Sequence, residues 1–416
     1  MPTSVRPSAC PGLLRIVPAL DGGICRVKLP GGVLRSAQAR VIAEAARRHT
    51  GGVLELTNRS NLQIRGVLPG QESPLIDALL GAGLDPQARM DVRALASQLL
   101  DLLQDTPALY ALSPKFALQL DGGEALAMRE HPHDLWLLAE DDQHLLLGLA
   151  GCPNEAPLAR IEVTQGVELV RQLLLLFLEL ATPEQSRMRQ LLAQIPAAEL
   201  LQRLQARLSF ALQAAPANWQ PAESTARAPA GVYPQAQQGL CMVAAGARLG
   251  RLHAEQLLAL AELSERHGDG ELRLTPWQGV LLGNVPETKS SELLNALEAL
   301  GLLTQADEPL LGLVACTGSA ACARGLADSK HHALHLAERL RENGARPQVH
   351  LSACPRSCAS ARVQPYTLLA STPDHYQLYQ RTPEAPGFGR LLAPAMTIDE
   401  AGAWFARQHP AGTSDA

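Results

Sequence analysis

The 416 residues carry 36 Lys and Arg against 41 Asp and Glu, a net charge of −5 that argues against a general nucleic-acid binder. The chain is 46% hydrophobic but only 3% aromatic, so Leu, Ala and Val must fill cores sufficient for two to four domains. The start, MPTSVRPSACPG, lacks the charged-then-apolar pattern of a signal peptide, and the apolar run at 173–178 is far too short to span a membrane. With eight cysteines and no export signal, a cytoplasmic protein in a reducing compartment is expected.

In chain order, two segments repeat one another. The first is CRVKLPGGVLRSAQARVIAEAARRHTGGVLELTNRSNLQIRGVLP and the second is CMVAAGARLGRLHAEQLLALAELSERHGDGELRLTPWQGVLLGNVP. Each reads as strand, turn, helix, strand, turn, strand. In the first, Ser36 is placed as N-cap of a helix with Val41, Ile42 and Ala45 on one face. Leu54 and Leu56, then Leu62 and Ile64, alternate as strands around Thr57-Asn58-Arg59-Ser60. Leu272 and Leu274, then Val280 and Leu282, do the same around Thr275-Pro276-Trp277-Gln278. Gly31-Gly32 reads as a turn, because the full Gly-rich phosphate fingerprint is absent. Each segment is about half of a ferredoxin-like sandwich, and two such halves can share one sheet about a pseudo-two-fold axis.

A longer α/β segment follows each half. The first contains LSPKFALQLDGG, DLWLLAEDDQHLLLGLAG and a helix from about Val167 to Ala181. The second contains YTLLAS, HYQLYQRT and a terminal helix near Ile398 to Gln408. The Pro-, Ala- and Ser-rich stretch between them reads as an exposed linker. The expected domains are therefore 10–82, 86–213, a linker at 214–230, 231–302, and 308–416.

The second α/β segment holds Cys316 and Cys322 in LLGLVACTGSAACARG, and Cys354 and Cys358 in VHLSACPRSCAS. Each pair follows an apolar, strand-like run, so each is expected to cap a buried strand. The residues between Cys316 and Cys322 are mostly small, which lets backbone N–H groups approach bound sulfides. Four thiolates from two loops can hold one [4Fe–4S] cube. Structural zinc pairs usually sit two to four residues apart, so the first gap fits zinc poorly. Inert buried thiols are the remaining reading. Cys10, Cys25, Cys152 and Cys241 are dispersed and read as core or incidental thiols.

With these elements together, the chain resembles the sulfite/nitrite reductase superfamily. CRVKLPGG at 25–32, LTNRSNLQIRG at 56–66, LSPKF at 112–116 and the cysteine quartet carry the resemblance, with the duplicated layout. It implies an α+β fold of two ferredoxin-like half-domains and two α/β domains related by pseudo-two-fold symmetry. It also implies a [4Fe–4S] cluster on Cys316, Cys322, Cys354 and Cys358, beside a tetrapyrrole set among basic residues. On this basis Arg26 and Lys115 are the expected catalytic residues. Lys28, Thr57, Asn58, Arg59, Asn61, Gln63 and Arg65 are the expected substrate-binding residues. Arginine suits this task because its planar fork binds carboxylates bidentately. By periodicity alone, Arg26 and Lys28 read as a solvated strand face, and Thr57 to Ser60 as an ordinary turn.

Within the superfamily the chain is most similar to the precorrin-3B synthases. Reductases usually carry a second lysine two residues after the one in the LSPKF element, where this chain has Ala117. They also carry an Arg-Asn pair after the first repeat, and this sequence has no such dipeptide. Pro276-Trp277 replaces the reductase-like element of the second repeat. The similarity implies oxygen-dependent hydroxylation of precorrin-3A at C20 with γ-lactone closure. Dioxygen would be a substrate, and an external NAD(P)H-linked reductant would feed the cluster. A mononuclear non-haem iron would activate oxygen, and the chain would act as a monomer without nucleic acid or membrane. Sirohaem enters only under the alternative, a sulfite or nitrite reductase. His331, His332 and His335, and His131 with His133, read as a solvated helix face and a polar loop rather than metal sites. Trp277 reads as packing or as a wall for the tetrapyrrole.

Overall fold

The computed structural model describes residues 13, 16–27, 29, 32–58, 60–81, 93–113, 115–122, 131–141, 143–220, 230–235, 237–360, 363–382 and 387–408. The chain divides into two compact units. One holds residues 86–227 with the first ten residues, and the other holds 11–85 and 228–416. Both segments expected as half-domains and the cysteine-bearing segment therefore lie in a single unit.

In the 86–227 unit, strands Leu118–Asp121, His133–Ala139, His144–Gly151 and Ala159–Glu162 form one sheet in that order. Helix Gly166–Leu180 buries Leu169, Val170, Leu173, Leu174 and Phe177 in the core shared with this sheet. The expected elements after the first repeat are all present. The stretch expected as an exposed linker is not wholly free. Trp219 packs against Trp136, Leu138 and Leu146 on this sheet, because an indole loses more than it gains by staying in water.

In the other unit the two halves do not share one sheet, as expected, but exchange strands between two. The first sheet runs Val17–Ala19, Gly22–Val27, Leu62–Val67, Val53–Leu56 and then Arg251–His253 from the second repeat. The second runs Gly231–Pro234, Leu240–Gly246, Gly279–Pro286, Glu271–Leu274 and then Val33–Arg35 from the first. The reason is local. The chain between turn and helix in each repeat is extended, and its edge pairs with the partner half: Leu252 opposite Leu54, and Leu34 opposite Leu272. Each exchange satisfies backbone groups that an open sheet edge would leave unpaired. All four of these leucines are fully buried, in one core that spans both halves. The repeat helices Ser36–His49 and Ala254–His267 pack on each other, with Arg40 Nη2 2.6 Å from Glu265 Oε2 at the surface.

Ser36 is the first helical residue rather than the cap. Arg35 occupies the N-cap, and its N–H donates to Gln38 Oε1 at 3.2 Å. The second repeat does the same, with His253 N–H donating to Gln256 Oε1 at 2.7 Å. Val41 is only half-buried, whereas Ala39, Ile42, Ala43, Ala45 and Ala46 are buried. The alternating leucines of both repeats form the strands their spacing predicts.

The cysteine segment builds a sheet of strands Leu313–Ala315, Val349–Ser352, Tyr366–Ala370, Tyr376–Gln380 and Arg390–Met396. The first three are parallel and the last two antiparallel. Helices Ser329–Asn343 and Ile398–Gln408 pack together and share a core with Leu313, Val349, Leu351 and Leu368. Among the described residues, no helix is long and apolar enough to cross a membrane.

Candidate iron–sulfur site and the polar strand beside it

Cys316 and Cys354 begin the loops that leave the carboxyl ends of two adjacent parallel strands, where open α/β sheets place their ligands. The first loop turns tightly on itself. Cys322 N–H donates to Gly318 O at 2.9 Å, and Ser319 N–H to Ala327 O at 2.9 Å. Gly318 has φ +72°, and a Cβ there would lie 2.6 Å from Ser329 N. A Cβ on Gly325 would lie 2.6 Å from Gly318 C, so the loop closes only with glycine at both places. Leu326 N–H donates to Ala353 O at 2.9 Å, which pins the two cysteine loops together.

The four thiols converge. Burial raises the pKa of the Cys358 thiol, and Cys354, Cys316 and Cys322 add to the rise through charge repulsion, which requires all of them nearby. No three of the four sulfurs come within 4.8 Å of one another. One tetrahedral zinc with bonds of about 2.3 Å would hold its sulfurs about 3.8 Å apart. The wider set suits a cube that presents a separate iron to each thiolate. Cys316 Sγ accepts from Ala353 N–H at 3.3 Å and lies 3.2 Å from Ser329 Oγ. Ser329 Oγ also donates to Cys316 O at 2.9 Å, which ties the start of the helix to the first cysteine. Cys316, Cys322 and Cys354 are half-buried, while Cys358 is exposed. Ser329 is a residue that sequence reasoning missed; its only signal is its place after Asp328, which caps helix Ser329–Asn343.

The first repeat meets these loops directly: Asn58 Nδ2 donates to Ala359 O at 3.1 Å, one residue beyond Cys358. The other expected binding residues have varied fates. Thr57 Oγ1 accepts from Asn61 N–H at 3.1 Å and locks the turn. Asn61 Oδ1 accepts from Leu29 N–H at 2.8 Å. Arg26, Gln63 and Glu55 lie opposite one another across three strands, with Arg251 of the exchanged strand opposite Glu55. These four form one polar row. Lys28 and Arg59 lie outside the described residues.

Arg65 departs from its expected part. It is 4% exposed and grips Asp21 with Nε at 2.8 Å and Nη2 at 2.9 Å, with Glu55 Oε2 3.6 Å from Nη1. Two carboxylates of its own chain already satisfy its fork, so it holds the fold rather than reaching a ligand. Glu55 is the hub that sequence reasoning missed. Arg251 Nε lies 3.1 Å and Lys330 Nζ 3.5 Å from Glu55 Oε1. Burial pushes the Glu55 pKa up, yet Lys330, Arg65 and Arg251 together bring it below the usual carboxylate value. Its one sequence signal is a carboxylate between Leu54 and Leu56, on the strand's polar face.

Lys115 belongs to the other compact unit and is exposed there. Phe116 packs on Phe177 with ring centroids 4.8 Å apart. Ala117 N–H donates to Asp134 Oδ2 at 2.9 Å, and Asp134 also binds Arg187 Nε at 2.8 Å. His332 Nδ1 lies 2.8 Å from Tyr376 Oη, and His335 Nε2 3.3 Å from Asp399 Oδ1. The His131 and His133 rings stand 5.3 Å apart. Trp277 is half-buried in its turn.

Comparison with known proteins decides the relationship. The nitrite/sulfite reductase ferredoxin-like half domain matches twice, at 18–82 and 233–300, and the nitrite and sulphite reductase 4Fe-4S domain matches at 75–212. The chain belongs to the nitrite/sulfite reductase superfamily. The two half-domain matches fall on the two strand-exchanged halves, so the duplicated α+β architecture is that of the superfamily. The 4Fe-4S domain match falls on the unit without the quartet; the cysteines lie in the later α/β segment. Chloroplastic ferredoxin–nitrite reductase of Zea mays is 29% identical over 391 residues, covering 81% of this chain and 68% of the maize protein. The Spinacia oleracea protein of the same name is 28% identical, and the chain spans 64% of it. The chain thus spans about two-thirds of the length of these plant relatives. Sulfite reductase [ferredoxin] 2 of Mycolicibacterium paratuberculosis is 30% identical over 190 residues, 41% of this chain and 34% of that protein. In solved structures, the Mycobacterium tuberculosis NirA protein shares the fold with a TM-score of 0.76, at 21% identity, over 94% of this chain and 82% of that one.

Proposed function

We propose that this superfamily member is an oxidoreductase that holds a [4Fe–4S] cluster on Cys316, Cys322, Cys354 and Cys358 and works as a sirohaem-dependent nitrite or sulfite reductase. The observation that carries it is the convergence of four thiols on two pinned loops, joined to the first repeat through Asn58. The relatives' names support the reductase over the oxygen-dependent synthase that the sequence first suggests, and an external ferredoxin-type donor in place of an NAD(P)H-linked one. Held on these four thiolates, a bound cluster would supply one-electron redox chemistry beside the tetrapyrrole.

The chain's own residues supply the rest. Ala353 N–H and Ser329 fix the position of the Cys316 sulfur. Cys358, the exposed thiol, is the one we assign to the tetrapyrrole side. Arg26, Lys28 and Arg59 are the cations for the carboxylates and the small anion. Asn61, Gln63 and Thr57 shape the strand that presents them. A dense set of cations is what a developing anionic charge requires.

One observation favours the precorrin-3B synthase as a second reading. At the place where a reductase carries its second lysine, this chain has Ala117, which anchors Asp134 through its backbone N–H and brings no side-chain charge of its own. Anaerobic purification separates the two. Extractable sirohaem with turnover of nitrite or sulfite from a reduced low-potential donor supports the reductase. A cluster spectrum without sirohaem, no turnover of either anion, and a hydroxylactone from precorrin-3A carrying one atom of labelled dioxygen would establish the synthase instead.

A further inference from the structure

Away from the cysteine loops, the second repeat and helix Ser329–Asn343 enclose a cavity of about 210 Å³ whose lining includes Arg248, Leu249, Arg251, His253 and Lys330. This is below the roughly 300–1,000 Å³ of a drug-sized ligand site, but it exceeds the ~30 Å³ share of a single water several times over. It suits a small hydrated ion rather than a nucleotide.

The charge on its walls is unbalanced. Lys330 is 7% exposed, and its Nζ donates to Leu249 O at 2.5 Å and lies 3.5 Å from Glu55 Oε1. Arg251 uses the same Glu55 oxygen, at 3.1 Å. Glu55 is further shared with Arg65, whose own carboxylate is Asp21. Two cations therefore face the cavity on one carboxylate. Burial and the Arg251 charge lower the Lys330 pKa, and Glu55 only partly offsets them. Arg248, at the cavity mouth, is exposed and has no ion-pair partner among the described residues. Gln256 is occupied: its Oε1 accepts from His253 N–H and its Nε2 donates to Leu300 O. Among the described residues, the cations lining the cavity thus outnumber the carboxylates that meet them, and an anion there would be drawn to that excess.

We infer that this cavity binds a small inorganic oxyanion of the phosphate or sulfate class, held by Arg248, Arg251 and Lys330. The site is independent of the proposed reaction, since it lies on residues with no part in it. Arg248 supplies the forked donor pair that such an anion accepts. Occupancy would complete the charge balance of the Glu55 network and brace the first turn of helix Ser329–Asn343, which carries Ser329 beside Cys316.

The test uses the protein as isolated, with sodium phosphate as the probe and sodium chloride at matched ionic strength as the reference. Calorimetric titration should show saturable phosphate binding, and thermal unfolding should shift upward with phosphate but not with chloride. Arg248→Ala, an exposed substitution that leaves the Glu55 network intact, should weaken phosphate binding at least tenfold while the melting temperature without phosphate stays unchanged. Equal effects of phosphate and chloride would overturn the inference, as would an Arg248→Ala protein that binds phosphate as the unaltered protein does.

Discussion

The two half-domains share a backbone and differ in chemistry. In the first, Thr57 N–H donates to Asn61 O at 2.9 Å and Ser60 N–H to Thr57 O at 3.1 Å; Ser60 has φ +53°. In the second, Thr275 N–H donates to Gly279 O at 2.9 Å and Gln278 N–H to Thr275 O at 3.1 Å; Gln278 has φ +60°. Each threonine hydroxyl accepts at 3.1 Å from the residue four along. Yet the first turn and strand carry Asn58, Arg59, Asn61, Gln63 and Arg65, where the second carries Pro276, Trp277, Gly279, Leu281 and Gly283. Asn58 reaches the cysteine loop, whereas Gln278 Nε2 reaches Leu56 O of the other half at 3.3 Å. Duplication preserved the turn, because its hydrogen bonds are local. It left the side chains free to diverge into a polar set in one copy and a largely apolar one in the other.

The largest effect should come from the quartet, beside which Asn58 of the first copy lies. Cys316→Ser and Cys354→Ser should abolish stoichiometric iron and sulfide, while Cys152→Ser and Cys241→Ser should keep both, as measured by chemical analysis and optical spectra. Retention of full iron in the first two would remove the cluster from the comparison altogether.

Glu55 and Arg273 occupy matching positions in the two halves, which makes them a sharper probe. Glu55→Gln should cost about 3–5 kcal/mol in urea unfolding, because it strands Lys330 and Arg251 on a lost carboxylate. Arg273→Gln should cost less than about 1 kcal/mol, since its contact with Glu271 at 3.8 Å is partly exposed. The pH dependence has a fixed sign. The folded pKa of Glu55 is depressed, so its contribution is present above the unfolded value and is lost as pH falls through the folded one. The gap between Glu55→Gln and the unaltered protein should therefore narrow in acid.

At the turns themselves, Arg59→Ala should lower tetrapyrrole retention about ten- to a hundredfold with cluster iron unchanged, the equivalent of about 1.5–3 kcal/mol for a charge-assisted hydrogen bond. Trp277→Ala, its counterpart, should change retention by less than about threefold, the loss of packing alone. Equal losses would mean that both copies face the ligand. The smallest effect expected is at Asn58: Asn58→Ala removes one hydrogen bond to Ala359, about 0.5–1.5 kcal/mol, and should appear as faster cluster loss to a chelator.

Much of this was written in short-range pattern. The alternating leucines of both repeats, the helices and the two strand-then-cysteine runs depend on neighbours a few residues away, so the sequence alone determined them. The same holds for the turn at Thr57 and for the placing of each cysteine pair just after a buried strand. What only the tertiary structure decided are matters of long-range partnership. Strands Val33–Arg35 and Arg251–His253 change sheets because the edge they satisfy belongs to the other half. Arg65 reads as a ligand-binding arginine until Asp21, 44 residues away, closes on it. Glu55 and Ser329 carry only a faint local signal and Lys330 none, since their roles exist only once the two halves and the cysteine segment meet. Period and turn chemistry act over a few residues of backbone, whereas charge pairing and burial are set by whatever the fold brings within a few ångströms.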